Sequence, residues 1–260
     1  MHWLKLTLSI AAIVVVVLAI AAYFAFRLPQ FGGRFEGQRL QRMRESPQFI
    51  DGKFQNVPPQ SGSSLLETFR LYRQGQTREP RFEIPVVDVP AASLHAPPSP
   101  GLRAIWFGHA TVLVEIDGVR VITDPVFADV VSPVPIGPRR FHRTPILLRD
   151  MTGIDAVVVS HDHYDHLDME AVQHLASRGA HFFVPLGIGA HLERWRVPPA
   201  QIHEMDWWQA AEIKGVTIHC TPARHYSGRK RMDNSTLWSS WTIRGPSYDV
   251  RPRSSTIRSC

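Results

Sequence analysis

Residues 160–168 read Ser-His-Asp-His-Tyr-Asp-His-Leu-Asp, and an apolar run, residues 156–159, leads straight into them. No other stretch limits so tightly what the chain can fold into. His161, His163, Asp165 and His166 place four metal-ligating side chains within six positions. The apolar run reads as a buried strand, with the four side chains on the turn at its end. A helix follows, with Asp168 as its N-cap and Gly179 as its stop. Imidazole and carboxylate are usual zinc ligands, at ~2.0–2.2 Å. Two histidines one residue apart on an extended segment point the same way and can share one ion. Asp165 and His166 then face a neighbouring position, and a site of this kind holds two ions ~3.5–4 Å apart. A polar, solvated turn is the plain alternative; four ligand types packed at the mouth of a buried strand weigh against it.

Residues 104–107, 111–116 and 119–123 read as three strands, with Asp117-Gly118 as a hairpin turn. Residues 126–144 form a loop rich in proline and arginine. Residues 182–185 read as a strand, 188–195 as a short helix, and 216–222 and 239–243 as further strands. Strands first in hairpins and then alternating with helices describe a layered α/β fold. Upstream, residues 63–74 have helical character, and residues 80–100 read as an extended arm broken by prolines.

His-Asp-His-Tyr-Asp-His resembles the His-x-His-x-Asp-His signature of the metallo-β-lactamase superfamily. Further blocks occur in order: Trp106-Phe107-Gly108-His109-Ala110-Thr111, Thr123-Asp124-Pro125-Val126-Phe127 and Gly137-Pro138-Arg139-Arg140-Phe141. Thr221-Pro222-Ala223-Arg224-His225-Tyr226-Ser227-Gly228-Arg229 and Leu237-Trp238-Ser239-Ser240-Trp241 follow. Together, over about residues 80–246, they resemble the branch containing N-acyl-phosphatidylethanolamine-hydrolysing phospholipase D and its bacterial relatives. The resemblance implies an αββα sandwich with zinc ions at the strand ends. It makes His225 the third histidine of the ion held by His161 and His163. Asp165 and His166 would serve a second ion and stand at the catalytic centre.

The other candidates carry two readings each. Asp124 follows a strand and precedes a proline. It either closes an Asx-type turn or, as the resemblance implies, orients a ligand histidine. His109 has a substrate-facing or ligand-supporting role, or a structural one. Arg139 and Arg140, with His142 and Arg143, form a solvated basic face or a phosphate-recognising loop. Trp207 and Trp208 read as core or as lipid-facing, with core preferred.

The function implied is a zinc-dependent, phospholipase D-type phosphodiesterase acting on N-acyl-phosphatidylethanolamine-like lipids through a metal-activated hydroxide. One alternative is a different hydrolase on the same scaffold, acting on a lactone or other ester. Another is an inactive, truncated, membrane-tethered fragment. The family pattern continues past Trp241 to a Gly-Asp turn and a later histidine, and neither follows here. Residues 247–260 are rich in arginine and serine and read as an aberrant tail without strand periodicity. On that reading the second half of the sandwich is incomplete, and one zinc ion or none replaces two.

Composition adds less. The net charge of +6 suits an anionic lipid surface or acidic substrate as readily as a generally basic protein. No nucleic-acid module is evident. The partners that the resemblance and the apolar N-terminal run imply are a phospholipid or other small anionic substrate and a membrane. Two cysteines, Cys220 and Cys260, cannot build a disulfide framework. Residues 6–26 contain no charged side chain. As a helix they would run ~31 Å, the reach of a transmembrane anchor. A cleaved signal peptide is the rival, with an apolar region of only ~7–15 residues. Arginines cluster after the span, which places the main domain in the cytoplasm. The chain thus divides into an anchor (1–27), a basic, proline-rich approach (28–100), a partial hydrolase domain (101–246) and the tail (247–260).

Overall fold

The computed structural model describes residues 2–57, 80–98, 100–229 and 233–250, with the isolated positions 66 and 70. The N-terminal apolar run forms helix α1 (His2–Ala25). Among the described residues no helix is long and apolar enough to cross a membrane. The expected transmembrane anchor is therefore not supported, and the cytoplasmic placement drawn from it loses its basis.

The segment after α1 packs onto the rest of the domain. A short turn of 3-10 helix (Pro29–Phe31) leads to α2 (Gly37–Glu45) and to a hairpin of β1 (Phe49–Ile50) and β2 (Lys53–Phe54). Met43 and Phe54 are buried in the main core. Arg39 binds Glu204 at 2.6 Å and Glu193 at 2.8 Å, tying α2 to the body of the domain. Downstream, Leu94 of α3 (Ala92–His95) is also buried, and its carbonyl accepts a bond from buried Arg120 at 2.7 Å. The helix expected over 63–74 lies outside the described residues apart from positions 66 and 70.

The predicted hairpin seeds the larger sheet. Asp117 and Gly118 have φ of 47° and 85°, the pair of positive values that a type I′ turn requires. The strands are β3 (Leu102–Gly108), β4 (Thr111–Ile116) and β5 (Val119–Thr123), all antiparallel. Then β6 (Ala156–Val158), β7 (His181–Pro185) and β8 (Ile202–Met205) add in parallel. The crossovers carry α4 (Met169–Ser177) and α5 (Gly189–Arg194). Asp168 caps α4, its carboxylate accepting the Glu170 amide at 3.0 Å. The second sheet holds β9 (Ala210–Ile213), β10 (Val216–Pro222), β11 (Ser239–Arg244) and β12 (Asp249–Val250) in the order β12-β11-β10-β9.

Period-two alternation puts apolar side chains on both faces of the larger sheet. Leu113, Ile122, Val157 and Phe182 pack on Val172 and Leu175 of α4 and Leu192 of α5. Val114, Val121, Val158 and Phe183 pack on Ile218, Cys220 and Ile243 of the second sheet. Each such buried side chain contributes ~1.5–3 kcal/mol. The described residues therefore supply a helix–sheet–sheet arrangement, three layers of the expected αββα sandwich. Because β12 pairs Ile243 with Val250, the strandless reading of the tail is corrected at 249–250; residues 251–260 lie outside the described set. The parallel strands all end on one edge, and the loops after β5 and β6 meet there.

Candidate metal centre

Asp124 stands where β5 ends, and its side chain organises the loop after β6. Its backbone is pinned from two strands. Its amide donates to Val158 O at 2.9 Å, and its carbonyl accepts the Thr111 hydroxyl at 2.7 Å. Its carboxylate accepts Ser160 N–H at 2.6 Å and Ser160 Oγ–H at 2.8 Å, and it meets His166 Nδ1 at 2.9 Å. The carboxylate therefore reaches across to the histidine loop instead of closing its own turn.

These bonds set two tautomers. A carboxylate only accepts, so His166 carries its proton on Nδ1 and leaves the Nε2 lone pair free. The Ser160 hydroxyl proton is spent on Asp124, so Oγ accepts from His161 Nδ1, 2.9 Å away. His161 then also presents a bare Nε2. A buried serine and aspartate thus aim two imidazole lone pairs into the same space, the arrangement that fixes ligand histidines around a metal.

His161 Nε2 lies 3.0 Å from His163 Nδ1 and 3.0 Å from His225 Nε2. One lone pair cannot accept full hydrogen bonds from both. Burial, and then the neighbouring histidines, hold His161 well below the usual imidazole range. Burial does the same to His163, and pushes His225 down to about 4. Three neutral imidazoles that converge with no carboxylate hydrogen-bonded to them among the described residues fit a shared cation better than one another. Their ligating nitrogens lie within 4.8 Å of one another.

A second group shares the same loop. His109, Asp165 and His166 also bring one ligand atom each within 4.8 Å. His109 Nε2 is 3.3 Å and His166 Nε2 3.9 Å from Asp165 Oδ2. Burial opposes ionisation of Asp165, but the bond from His109 and the proximity of His166 prevail and pull it down to about 2. Burial also opposes the charged form of His166, yet Asp124 outweighs it and raises that imidazole. His109, read from sequence as a supporting or structural residue, stands here as a third donor beside Asp165 and His166. It is placed by the end of β3, where the chain turns into β4 at Thr111.

The basic loop does not join either group. Arg140 spends its guanidinium on main-chain carbonyls, Phe107 O at 2.7 Å and Val126 O at 3.0 Å. Arg139 is exposed. A cavity of about 520 Å³ beside Arg140 is walled by Phe127, Ile146 and Leu148 with Asp129, Asp168 and Glu170, and none of the ligand candidates lines it. The tryptophan pair divides: Trp207 is buried and donates to Trp238 O at 2.7 Å, whereas Trp208 is exposed.

Other residues at the site gave no local signal in the sequence. Ser160 was legible only as the last residue before the motif. Asp162, between the ligand histidines, faces away from them and is wholly buried. Its Oδ1 accepts Gly228 N–H at 2.8 Å and its carbonyl accepts Arg229 at 2.7 Å, which joins the histidine loop to the loop carrying His225. Asn56 contacts His225 from the N-terminal arm. Only tertiary packing brings these residues together.

The fold and the site define a class: a layered α/β protein with two histidine-rich ligand groups at the strand ends. The chain belongs to the beta-lactamase superfamily, whose family model, Beta-lactamase superfamily domain, matches residues 119–250. It is 44% identical over 209 residues to an uncharacterized protein of Mycobacterium tuberculosis, covering 78% of this chain and 56% of that one. It is 39% identical over 173 residues to N-acyl-phosphatidylethanolamine-hydrolyzing phospholipase D 1 of Caenorhabditis elegans, covering 62% of this chain and 48% of that one. It is 33% identical over 124 residues to a UPF0173 metal-dependent hydrolase of Metallosphaera sedula, covering 47% and 50%. The chain spans about half the length of these relatives.

Proposed function

We propose that this chain carries the metal centre of a zinc-dependent hydrolase that cleaves phosphodiesters of the N-acyl-phosphatidylethanolamine type. The observation that carries the reading is the Asp124–Ser160 pair, which turns Nε2 of His161 and of His166 toward one space. His161, His163 and His225 would hold one ion; Asp165, His166 and His109 would serve a second. Three neutral imidazoles suit zinc, and iron or manganese is the competing occupancy. A bound divalent ion supplies Lewis-acid polarisation of a phosphoryl oxygen and acidifies nearby water.

The chain's own residues do the rest. Asp124 holds the tautomers, and burial keeps the three histidines unprotonated near neutral pH. Asp165 stays ionised and accessible, in position to accept a proton from water. His109 approaches Asp165 from the exposed side and would complete the second group there. The phosphodiester choice rests on similarity to the Caenorhabditis elegans phospholipase D.

The test is a panel of N-acyl-phosphatidylethanolamine, other phospholipids and lactones, run with metal-loaded and chelated protein. Release of phosphatidic acid that stops on chelation supports the proposal. Lactone turnover alone shifts the chemistry to another ester on the same scaffold. Phosphodiester cleavage by thoroughly metal-free protein refutes the metal mechanism.

A further inference from the structure

Asn56 belongs to the N-terminal arm, two residues past β2, and it is buried. Its Oδ1 accepts the His225 amide at 3.0 Å, and its Nδ2 donates to the His225 carbonyl at 2.7 Å. One carboxamide thus holds both main-chain groups of a residue 169 positions away. Only a carboxamide of this length offers an acceptor and a donor side by side; aspartate loses the donor and glutamine reaches too far.

The arm is itself well anchored. Phe54 is buried in the core between the sheets, and its amide donates to Asn234 O at 2.9 Å. His225, by contrast, lies past the end of β10, between exposed Arg224 and Tyr226. No strand ladder holds it. Yet its Nε2 must meet His161 at 3.0 Å. A side chain on a loop keeps such an aim only if its backbone is fixed.

We infer that Asn56 is a positioning residue for His225: by clamping the His225 backbone it aims the imidazole at His161 and His163. The role rests on the metal reading proposed above. It makes the N-terminal arm part of the site, although the arm supplies no ligand.

The experiment loads the full chain with cobalt(II) and records affinity and visible absorption for wild type, Asn56→Ala, Asn56→Asp and Met43→Ala. Met43→Ala loosens the same arm in the core without touching His225. Both Asn56 variants are expected to bind cobalt about tenfold more weakly, with an altered ligand-field spectrum, well below their melting temperatures. Met43→Ala is expected to melt earlier with wild-type affinity and spectrum. Wild-type affinity and spectrum in Asn56→Ala would overturn the positioning role alone, as would an equal loss in Met43→Ala. A wild-type chain that takes up no cobalt defeats the metal reading, and the positioning role with it.

Discussion

The two ligand groups share a loop and a supporting carboxylate, yet one has a buried histidine at its centre and the other an exposed one at its rim. His161 is 4% exposed, whereas the side chains of His109 and Asp165 are 69% and 40% exposed. Burial acts on the first group as a chemical device. It strips the imidazoles of protons and removes competing water, so the lone pairs are ready before any cation arrives. The second group is wetter and its charges are screened. It owes its order to Asp124, through His166, and to the bond between His109 and Asp165. The difference predicts a tight ion at the buried group and a looser, exchangeable one at the exposed group.

The hardest blow to that comparison is His161→Ala, which removes the centre of the buried group. Metal content should fall by the tightly held ion, and turnover should drop ~10³-fold or more, since Lewis-acid stabilisation amounts to several kcal/mol. Metal analysis of dialysed protein alongside a lipid hydrolysis assay checks it. Unchanged tight metal would place the strong site elsewhere.

Asp124→Asn tests whether one carboxylate serves both groups. The amide cannot accept all three bonds, so both His161 and His166 lose their enforced tautomer. Affinity should weaken ~10–100-fold at both groups, read by calorimetric titration. A loss at one group alone would separate what the structure joins.

Acid sharpens the contrast, because protons compete with metal for imidazole. His166 is raised above its ordinary 6.5, whereas His225 is lowered to about 4. As pH falls from 7 toward 5.5, His166 takes a proton first. The exposed group should lose affinity ~tenfold per pH unit while the buried group keeps its ion. Metal retention after dialysis at stepped pH reads this directly, and simultaneous loss from both groups would erase the distinction.

His109→Ala is the mildest probe. The side chain is exposed, so the fold should be untouched, with stability changed by less than ~0.5 kcal/mol. Only the second ion should weaken, by about three- to tenfold, a reduced form of the effect of losing a ligand-orienting partner. Equal affinity for two ions in the variant would show that His109 is no ligand.

How much of this was legible beforehand depended on distance along the chain. The motif from His161 to His166, the Asp117-Gly118 turn and the Asp168 cap each act within a few residues, and each stands where the sequence reading put it. Strands β8 and β9 escaped because Ile-His-Glu-Met and Ala-Ala-Glu-Ile are too short and lack a clear alternation of apolar and polar positions; their pairing to β7 and β10 makes them strands. The arm from Pro29 to Asn56 read only as part of a basic, proline-rich approach because its few buried residues, Met43 and Phe54 among them, are scattered through polar sequence. Arg140 looked available for phosphate until the fold turned it onto carbonyls of Phe107 and Val126. The apolar N-terminal run looked like a membrane span from composition alone.

The sequence by itself determined which chemistry was possible: four ligand side chains on one turn, behind a strand apolar enough to be buried. Local covalent geometry suffices for that, because neighbours in the chain cannot be far apart in space. The tertiary structure alone decided which nitrogens face the site, that His225 reaches His161 across 64 positions, and that Asn56 holds it there. Those facts depend on hydrogen bonds between segments that meet only when two sheets close over a shared core, and no pattern along one segment records its partner.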